Sequence, residues 1–179
     1  MRLENGIETE IPKVPDELKD KIFINTVREL SYTDYTLFEL SMKAIVYQMI
    51  KENTDFSKLN RINVIFTNDG SFSMNTKDKP LFSFTDTCGY YFKLAVYPLE
   101  VLHKKGKNSI TLFAFTEELV HHFWNIEDES LVKYKVLDVL NYKVLKELDP
   151  DILNILELID SKALNITEGL LNEWGVNWS

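Results

Sequence analysis

The sequence is poor in residues that cross-link or interrupt a chain. It contains one cysteine, Cys88, which excludes an intrachain disulfide and a zinc site built from several cysteines. Only six glycines and five prolines occur in 179 residues, so few long loops are expected. No stretch approaches the about 18 consecutive apolar residues of a membrane-spanning helix. The sequence therefore predicts no transmembrane segment.

The first residues also lack the features of a secretion signal. Residues 1–20 contain acidic residues and prolines where a signal peptide has a basic start followed by an apolar run. We therefore expect a cytoplasmic protein. Pro12 and Pro15 would interrupt a helix, which favours a flexible lead-in over residues 1–20.

Positive charge is in deficit. The chain has 20 Lys and Arg against 28 Asp and Glu, a formal net charge of −8. Binding to nucleic acid or to an anionic membrane needs clustered basic residues that neutralise phosphates, and the sequence predicts neither partner. The one basic run, residues 103–107, is short and typical of a solvated loop.

Apolar residues are present in the proportion of an ordinary globular protein. They make up 45% of the chain, and 11 Phe, 8 Tyr and 3 Trp provide bulk for a well-filled core. The length fits one domain. We therefore expect residues 21–179 to form a single α+β domain.

The order of patterns predicts a long N-terminal helix, a small sheet and C-terminal helices. Apolar residues recur at helical spacing over residues 32–52, after a capping-box pattern that begins at Ser31. Strands are expected near residues 61–66, 71–74, 81–84 and 91–97, with Asp69-Gly70 as a hairpin turn, so the twisted sheet should be mainly antiparallel. Helices are expected near residues 110–125, 129–148, 150–160 and 165–174.

One segment carries a chemical signal. Residues 117–129 hold five carboxylates and two of the three histidines. On a helix, Glu117 and His121 stack one turn apart at the margin of the apolar face, with Glu118 beside them, so they could bind one cation together. The alternative interpretation is a weak surface contact, because Glu–His pairs at this spacing are common on helices.

The run Glu117-Glu118-Leu119-Val120-His121 resembles the HExxH helix of zincin metallopeptidases, with Glu in place of the first histidine. The expected order of helix, sheet, loop and second helix over residues 32–140 is also similar to that family. The resemblance implies a zincin-like fold in which Glu117 and His121 bind the metal and Glu118 is the general base.

The third ligand has two candidates. Glu127 follows His121 at the spacing of the metzincin branch, but Trp124 stands where that branch has a glycine. Glu129 resembles the later Glu ligand of other zincins. Two carboxylates make the set a harder one, which suits Zn²⁺ and also Mn²⁺ or Fe²⁺. They also weaken the metal as a Lewis acid. Two alternatives follow: the site is that of an active metal-dependent hydrolase, or it is vestigial and binds no metal.

Two functions follow from these observations. The first is a metal-dependent hydrolase of amide or peptide bonds, with a peptide or protein as substrate. The second is a non-catalytic protein-interaction or regulatory domain in which the Glu/His helix is structural. Trp174 and Trp178, close to the C-terminal end, motivate the second, because a tail of this kind either docks on the domain or offers a surface to a partner.

Overall fold

The computed structural model of the protein describes residues 5–73 and 93–148. Three strands and five α-helices follow one another in an α+β arrangement. Their order is β1 (Ile22–Thr26), α1 (Tyr32–Lys51), β2 (Ile62–Thr67), β3 (Lys93–Pro98), α2 (Leu99–His103), α3 (Asn108–Trp124), α4 (Glu129–Val139) and α5 (Tyr142–Leu148). None of the described helices is long and apolar enough to cross a membrane.

The long first helix was predicted within a residue of its bounds. Its start is set by a capping box: the Ser31 hydroxyl accepts from the Asp34 N–H at 3.1 Å, and the Asp34 carboxylate accepts from the Ser31 N–H at 3.4 Å. The buried residues of α1 include Leu37, Phe38 and Met49, and they pack against the sheet and α3. The repeat of apolar residues therefore reports packing over much of the helix circumference.

The expectation of a mainly antiparallel sheet was wrong for the described strands. They form one sheet in the order β1–β2–β3, and both neighbouring pairs are parallel, with Ile22 opposite Ile62 and Ile62 opposite Lys93. The chain passes from β1 to β2 through α1, and such a crossover returns the second strand in the direction of the first. β1 itself was not predicted.

The Asp69-Gly70 turn exists, but it is a bend after β2. Gly70 has a φ of +100°, its N–H donates to Thr67 Oγ1 at 2.8 Å, and the Asp69 carboxylate accepts from the Ser71 N–H at 2.9 Å. Residues 71–73 form no strand. Because β2 pairs with β1 on one side and with β3 on the other, the residues described after this turn form no hairpin with β2.

The C-terminal helices are more divided than expected. The segment predicted as one helix over 129–148 is two, because α4 ends at Val139 and α5 begins at Tyr142. The loop predicted after β3 contains the short helix α2. The rest of the 71–74 strand, the 81–84 strand, the turn with Cys88, the helices near 150–160 and 165–174, and the tail with Trp174 and Trp178 lie outside the described residues.

An aromatic cluster joins the layers beneath α3. The rings of Phe38, Phe66, Tyr97 and Phe115 lie 5.0–5.7 Å apart and are almost fully buried. The Tyr97 hydroxyl donates to the Phe115 carbonyl oxygen at 2.8 Å. Such contacts fix a helix closely against its neighbours. The cluster therefore anchors α3 on β2, β3 and α1 directly before Glu117.

Candidate metal centre

The last turns of α3 present the predicted carboxylates and imidazole together. Glu117 and His121 are four residues apart, and residues one turn apart on a helix lie on the same face. Both are half-buried, because the neighbouring apolar residues Phe115, Leu119 and Val120 are fully buried in the core. The expected position at the margin of the apolar face is what the structure has.

A short turn brings the next helix back to this face. α3 ends at Trp124 and is followed by its cap residue Asn125, which is in the left-handed conformation, with φ of 53° and ψ of 44°. α4 begins at Glu129 and is capped by Asp128, whose carboxylate accepts from the Leu131 N–H at 2.9 Å. Only residues 125–128 separate the two helices, so Glu129 lies in the first turn of α4 beside the last turn of α3.

Glu117, His121 and Glu129 converge. Each offers one ligand atom, and these atoms all lie within 4.8 Å of one another, so the three residues could hold a metal ion. The His121 Nε2 is 3.8 Å from Glu129 Oε1. The Glu129 side chain is 72% exposed, which leaves the cluster open to solvent on the α4 side.

A hydrogen bond orients the His121 ring. Nδ1 lies 2.7 Å from the Ile126 carbonyl oxygen. A carbonyl oxygen can only accept, so Nδ1 carries a proton, and in the neutral imidazole the lone pair is on Nε2, which faces the cluster. Metal-binding histidines in proteins are held in this way by a carbonyl or carboxylate on the second ring nitrogen. His121 is therefore prepared to act as a ligand.

Burial and like charge act on the two neighbouring glutamates. Partial burial raises the pKa of Glu117, and the nearby Glu129 carboxylate raises it further, while Lys133 and His121 act in the opposite direction. Burial also raises the pKa of Glu118, with His121 opposing. The cluster thus concentrates negative charge that a cation would compensate.

A pocket of about 580 Å³ opens beside the cluster. Its walls come from the start of β3, the end of α3, the following turn and the first turn of α4: Lys93, Leu94, Glu118, His121, His122, Asn125, Ile126, Glu127 and Glu129. The predicted general base and two of the predicted ligands thus line one cavity large enough for a small ligand or part of a peptide.

Contacts between β3 and α3 hold the far wall of this pocket. Lys93 Nζ donates to Asn125 Oδ1 at 2.8 Å, and lies 3.4 Å from the His122 carbonyl oxygen. The ring of His122 donates from Nε2 to the Leu94 carbonyl oxygen at 3.2 Å. Burial lowers the pKa of His122 because the charged imidazolium loses solvent there.

The two candidate third ligands separate in space. Glu129 belongs to the group of converging ligand atoms in the described part of the chain, whereas Glu127 lines the pocket outside that group. His103 was expected to be a solvated loop residue. It instead ends α2, with its Nε2 2.7 Å from the buried carboxylate of Asp34, and it lies apart from the pocket.

Beyond the histidines and carboxylates of residues 117–129, four residues of the pocket were not predicted from the sequence: Lys93, Leu94, Asn125 and Ile126. One signal could have found Asn125, because an asparagine directly after a helix is typical of a left-handed C-terminal cap. Lys93 and Leu94 line the pocket because of the way β3 pairs in the sheet, and Ile126 because of the path of the turn after α3. No local sequence pattern predicts either.

No protein-family model, curated protein or solved structure matches this chain. The resemblance to zincins therefore stays a prediction, and the chemistry of the cluster carries the argument on function.

Proposed function

We propose that the protein binds a divalent cation through Glu117, His121 and Glu129 and hydrolyses amide or peptide bonds in the adjoining pocket. Zn²⁺ is the first choice of metal, with Mn²⁺ and Fe²⁺ favoured next by the two carboxylates. The observation that carries the proposal is the convergence of the three ligand atoms within 4.8 Å.

The donor set suits such a cation. One imidazole and two carboxylates are the ligand types that zinc and manganese accept in proteins. Because Nδ1 donates to the Ile126 carbonyl oxygen, the neutral His121 ring would offer its lone pair to a cation from Nε2. The half-buried Glu117 and the exposed Glu129 bring two negative charges together, and the raised pKa of Glu117 reflects its burial and then their repulsion.

Three protein ligands is also the number found in catalytic zinc sites, which keep a further position for water or substrate. A cation bound here would act as a Lewis acid on a substrate carbonyl or on a water molecule. The pocket beside the cluster gives a substrate access to it.

Glu118 is the residue that would move protons. It lines the pocket, and burial raises its pKa above the ordinary glutamate value, which favours a general base that must both take up and release a proton. Its carboxylate would take a proton from the attacking water and deliver it to the nitrogen of the leaving amine. A zincin-like hydrolase would use its second motif residue in this way.

The metal test uses protein purified without chelator. Elemental analysis and zinc titration are expected to give one cation per chain in the native protein, and a loss of that cation in Glu117→Ala and His121→Ala. Glu127→Ala is the matched control, because Glu127 lines the same pocket outside the ligand group. A native protein that binds no cation at saturating Zn²⁺ or Mn²⁺ would contradict the proposal.

The hydrolase test uses a mixture of fluorogenic peptides. Cleavage should disappear with EDTA and return when Zn²⁺ or Mn²⁺ is added. Stoichiometric metal without cleavage of any peptide would remove the hydrolase part of the proposal, and would favour the regulatory domain in which a cation joins α3 to α4.

A further inference from the structure

Asn125 ends α3 in a backbone conformation that is rare for residues other than glycine. Its φ is 53°, and among the described residues only Asn53, with φ of 54°, shares a positive φ without being glycine. Asparagine tolerates the left-handed region better than other side chains, and β-branched residues tolerate it least. The conformation stops the helix and reverses the chain.

This reversal turns residue 126 back onto His121. The Ile126 N–H donates to the His121 carbonyl oxygen at 3.2 Å, and the Ile126 carbonyl oxygen accepts from His121 Nδ1 at 2.7 Å. In a continuing helix that carbonyl would face the following turn, away from the imidazole. The hydrogen bond that sets the His121 proton therefore depends on the left-handed residue between the two.

The side chain of Asn125 is held as well. Its Oδ1 accepts from Lys93 Nζ at 2.8 Å, and the same ammonium lies 3.4 Å from the His122 carbonyl oxygen. Lys93 is the first residue of β3. The turn is thereby tied to the sheet on one side and to the end of α3 on the other.

We propose that Asn125 is a positioning residue of the metal centre: its left-handed backbone, tied to β3 by Lys93, aims the Ile126 carbonyl at Nδ1 and so keeps the lone pair of His121 on Nε2. Asn125 acts through His121 and is not a ligand. The effect of Asn125 on cation affinity rests on the proposed function. The position of the His121 proton does not, because it can be measured in the metal-free protein.

The first measurement is the tautomer of His121 by ¹⁵N NMR on metal-free protein at about pH 9, where histidine side chains are generally neutral. The native protein is expected to carry its proton on Nδ1 alone. Asn125→Val should give a mixture of the two tautomers, because valine strongly disfavours the left-handed region. Asn125→Gly accepts that region and should restore the native tautomer.

The second measurement is zinc affinity in the same variants, with Zn²⁺ alone as the probe. Loss of a group that orients a metal-binding histidine costs about 10- to 100-fold in affinity, and we expect this loss for Asn125→Val, with Asn125→Gly close to the native protein. Asn53→Val is the matched control: it places the same strain after α1, and should lower the melting temperature without changing the tautomer or the affinity.

The outcomes separate the two proposals. A native-like tautomer in Asn125→Val, or an equal loss of zinc affinity in Asn53→Val, would overturn the role of Asn125 while leaving the metal centre in place. A native protein that binds no zinc would overturn the proposed function, and the tautomers alone would then decide the role of Asn125. If Asn125→Val does not fold, Asn125→Ala replaces it with the same expected direction.

Discussion

Glu117 and Glu129 come from different helices, yet their carboxylates lie in one cluster with ligand atoms within 4.8 Å. After burial, Glu129 is the strongest cause of the raised pKa of Glu117. The fold thus holds the half-buried carboxylate of Glu117, which has lost part of its hydration, close to the like charge of the exposed Glu129. Such an arrangement lowers the stability of a metal-free protein and favours a bound cation.

The first prediction concerns Glu117→Gln. Removing one of the two charges should stabilise the metal-free protein at neutral pH by no more than about 1 kcal/mol, because solvent screens a partly exposed group. The same change should abolish the rise in melting temperature that Zn²⁺ gives to the native protein. Thermal unfolding with EDTA and with Zn²⁺ measures both effects.

The control for this experiment is Glu127→Gln, which also removes one negative charge, here from the wall of the adjoining pocket, but leaves the ligand group intact. It should keep the stabilisation by Zn²⁺. If Glu117→Gln lowers the stability of the metal-free protein instead, the charge of Glu117 is already compensated and its repulsion with Glu129 does not destabilise the fold.

The second prediction is the pH dependence of the metal-free protein. The folded chain raises the pKa of Glu117 and Glu118, so it holds their protons to higher pH than the unfolded chain does. Their contribution to stability is therefore fully present below the ordinary glutamate pKa of about 4.3 and is lost as the pH rises through the raised values.

Urea unfolding of Glu117→Gln, Glu118→Gln and the native protein between about pH 4 and 8 measures this dependence. As the pH rises, the free energy of unfolding of each variant should increase relative to that of the native protein. A difference that stays constant with pH would show that the two groups titrate alike in the folded and unfolded chains.

The site was more predictable than the sheet because its spacing is local. Glu117 and His121 are four residues apart, and this spacing places them on the same face of a helix wherever the helix lies in the fold. The parallel sheet depends on how the chain crosses from one strand to the next, which short sequence patterns do not show. The Asp69-Gly70 pattern predicts a local turn and indicates nothing about the direction of the strands. One signal pointed the other way: Ile62–Phe66 is almost continuously apolar, which is typical of a parallel strand buried on both faces, and every residue of β2 is buried.

The third prediction concerns the buried carboxylate at the start of α1. Asp34 is 1% exposed, accepts from the Ser31 hydroxyl at 2.6 Å and contacts His103 Nε2 at 2.7 Å. Asp34→Ala removes the capping box and the contact between α1 and α2. We expect it to lower the free energy of unfolding by about 1–3 kcal/mol in denaturant titrations.

Asp16→Ala is the comparison for Asp34→Ala. Asp16 forms an exposed ion pair with Lys19 at 2.8 Å, a type of contact that contributes little to stability. The free energy of unfolding of Asp16→Ala in the same denaturant titrations should equal that of the native protein. If the two variants behave alike, the capping box and the contact with His103 contribute nothing measurable.

The fourth prediction assigns Glu118 to the chemistry and not to the metal. Glu118 lines the pocket but lies outside the group of converging ligand atoms. Glutamine keeps the shape of the side chain but cannot accept a proton from water. Glu118→Gln should therefore bind Zn²⁺ as the native protein does, while peptide cleavage falls by about 10²- to 10⁴-fold, the usual contribution of a general base.

The kinetic signature of that change separates its possible causes. A general base acts in the transition state, so kcat and kcat/KM should fall by the same factor in Glu118→Gln, whereas Glu127→Gln should leave kcat nearly unchanged. Loss of zinc together with cleavage would make Glu118 a ligand. Unchanged cleavage would transfer the role of the base to another group of the pocket, and the similarity of residues 117–121 to the zincin motif would then have no chemical meaning.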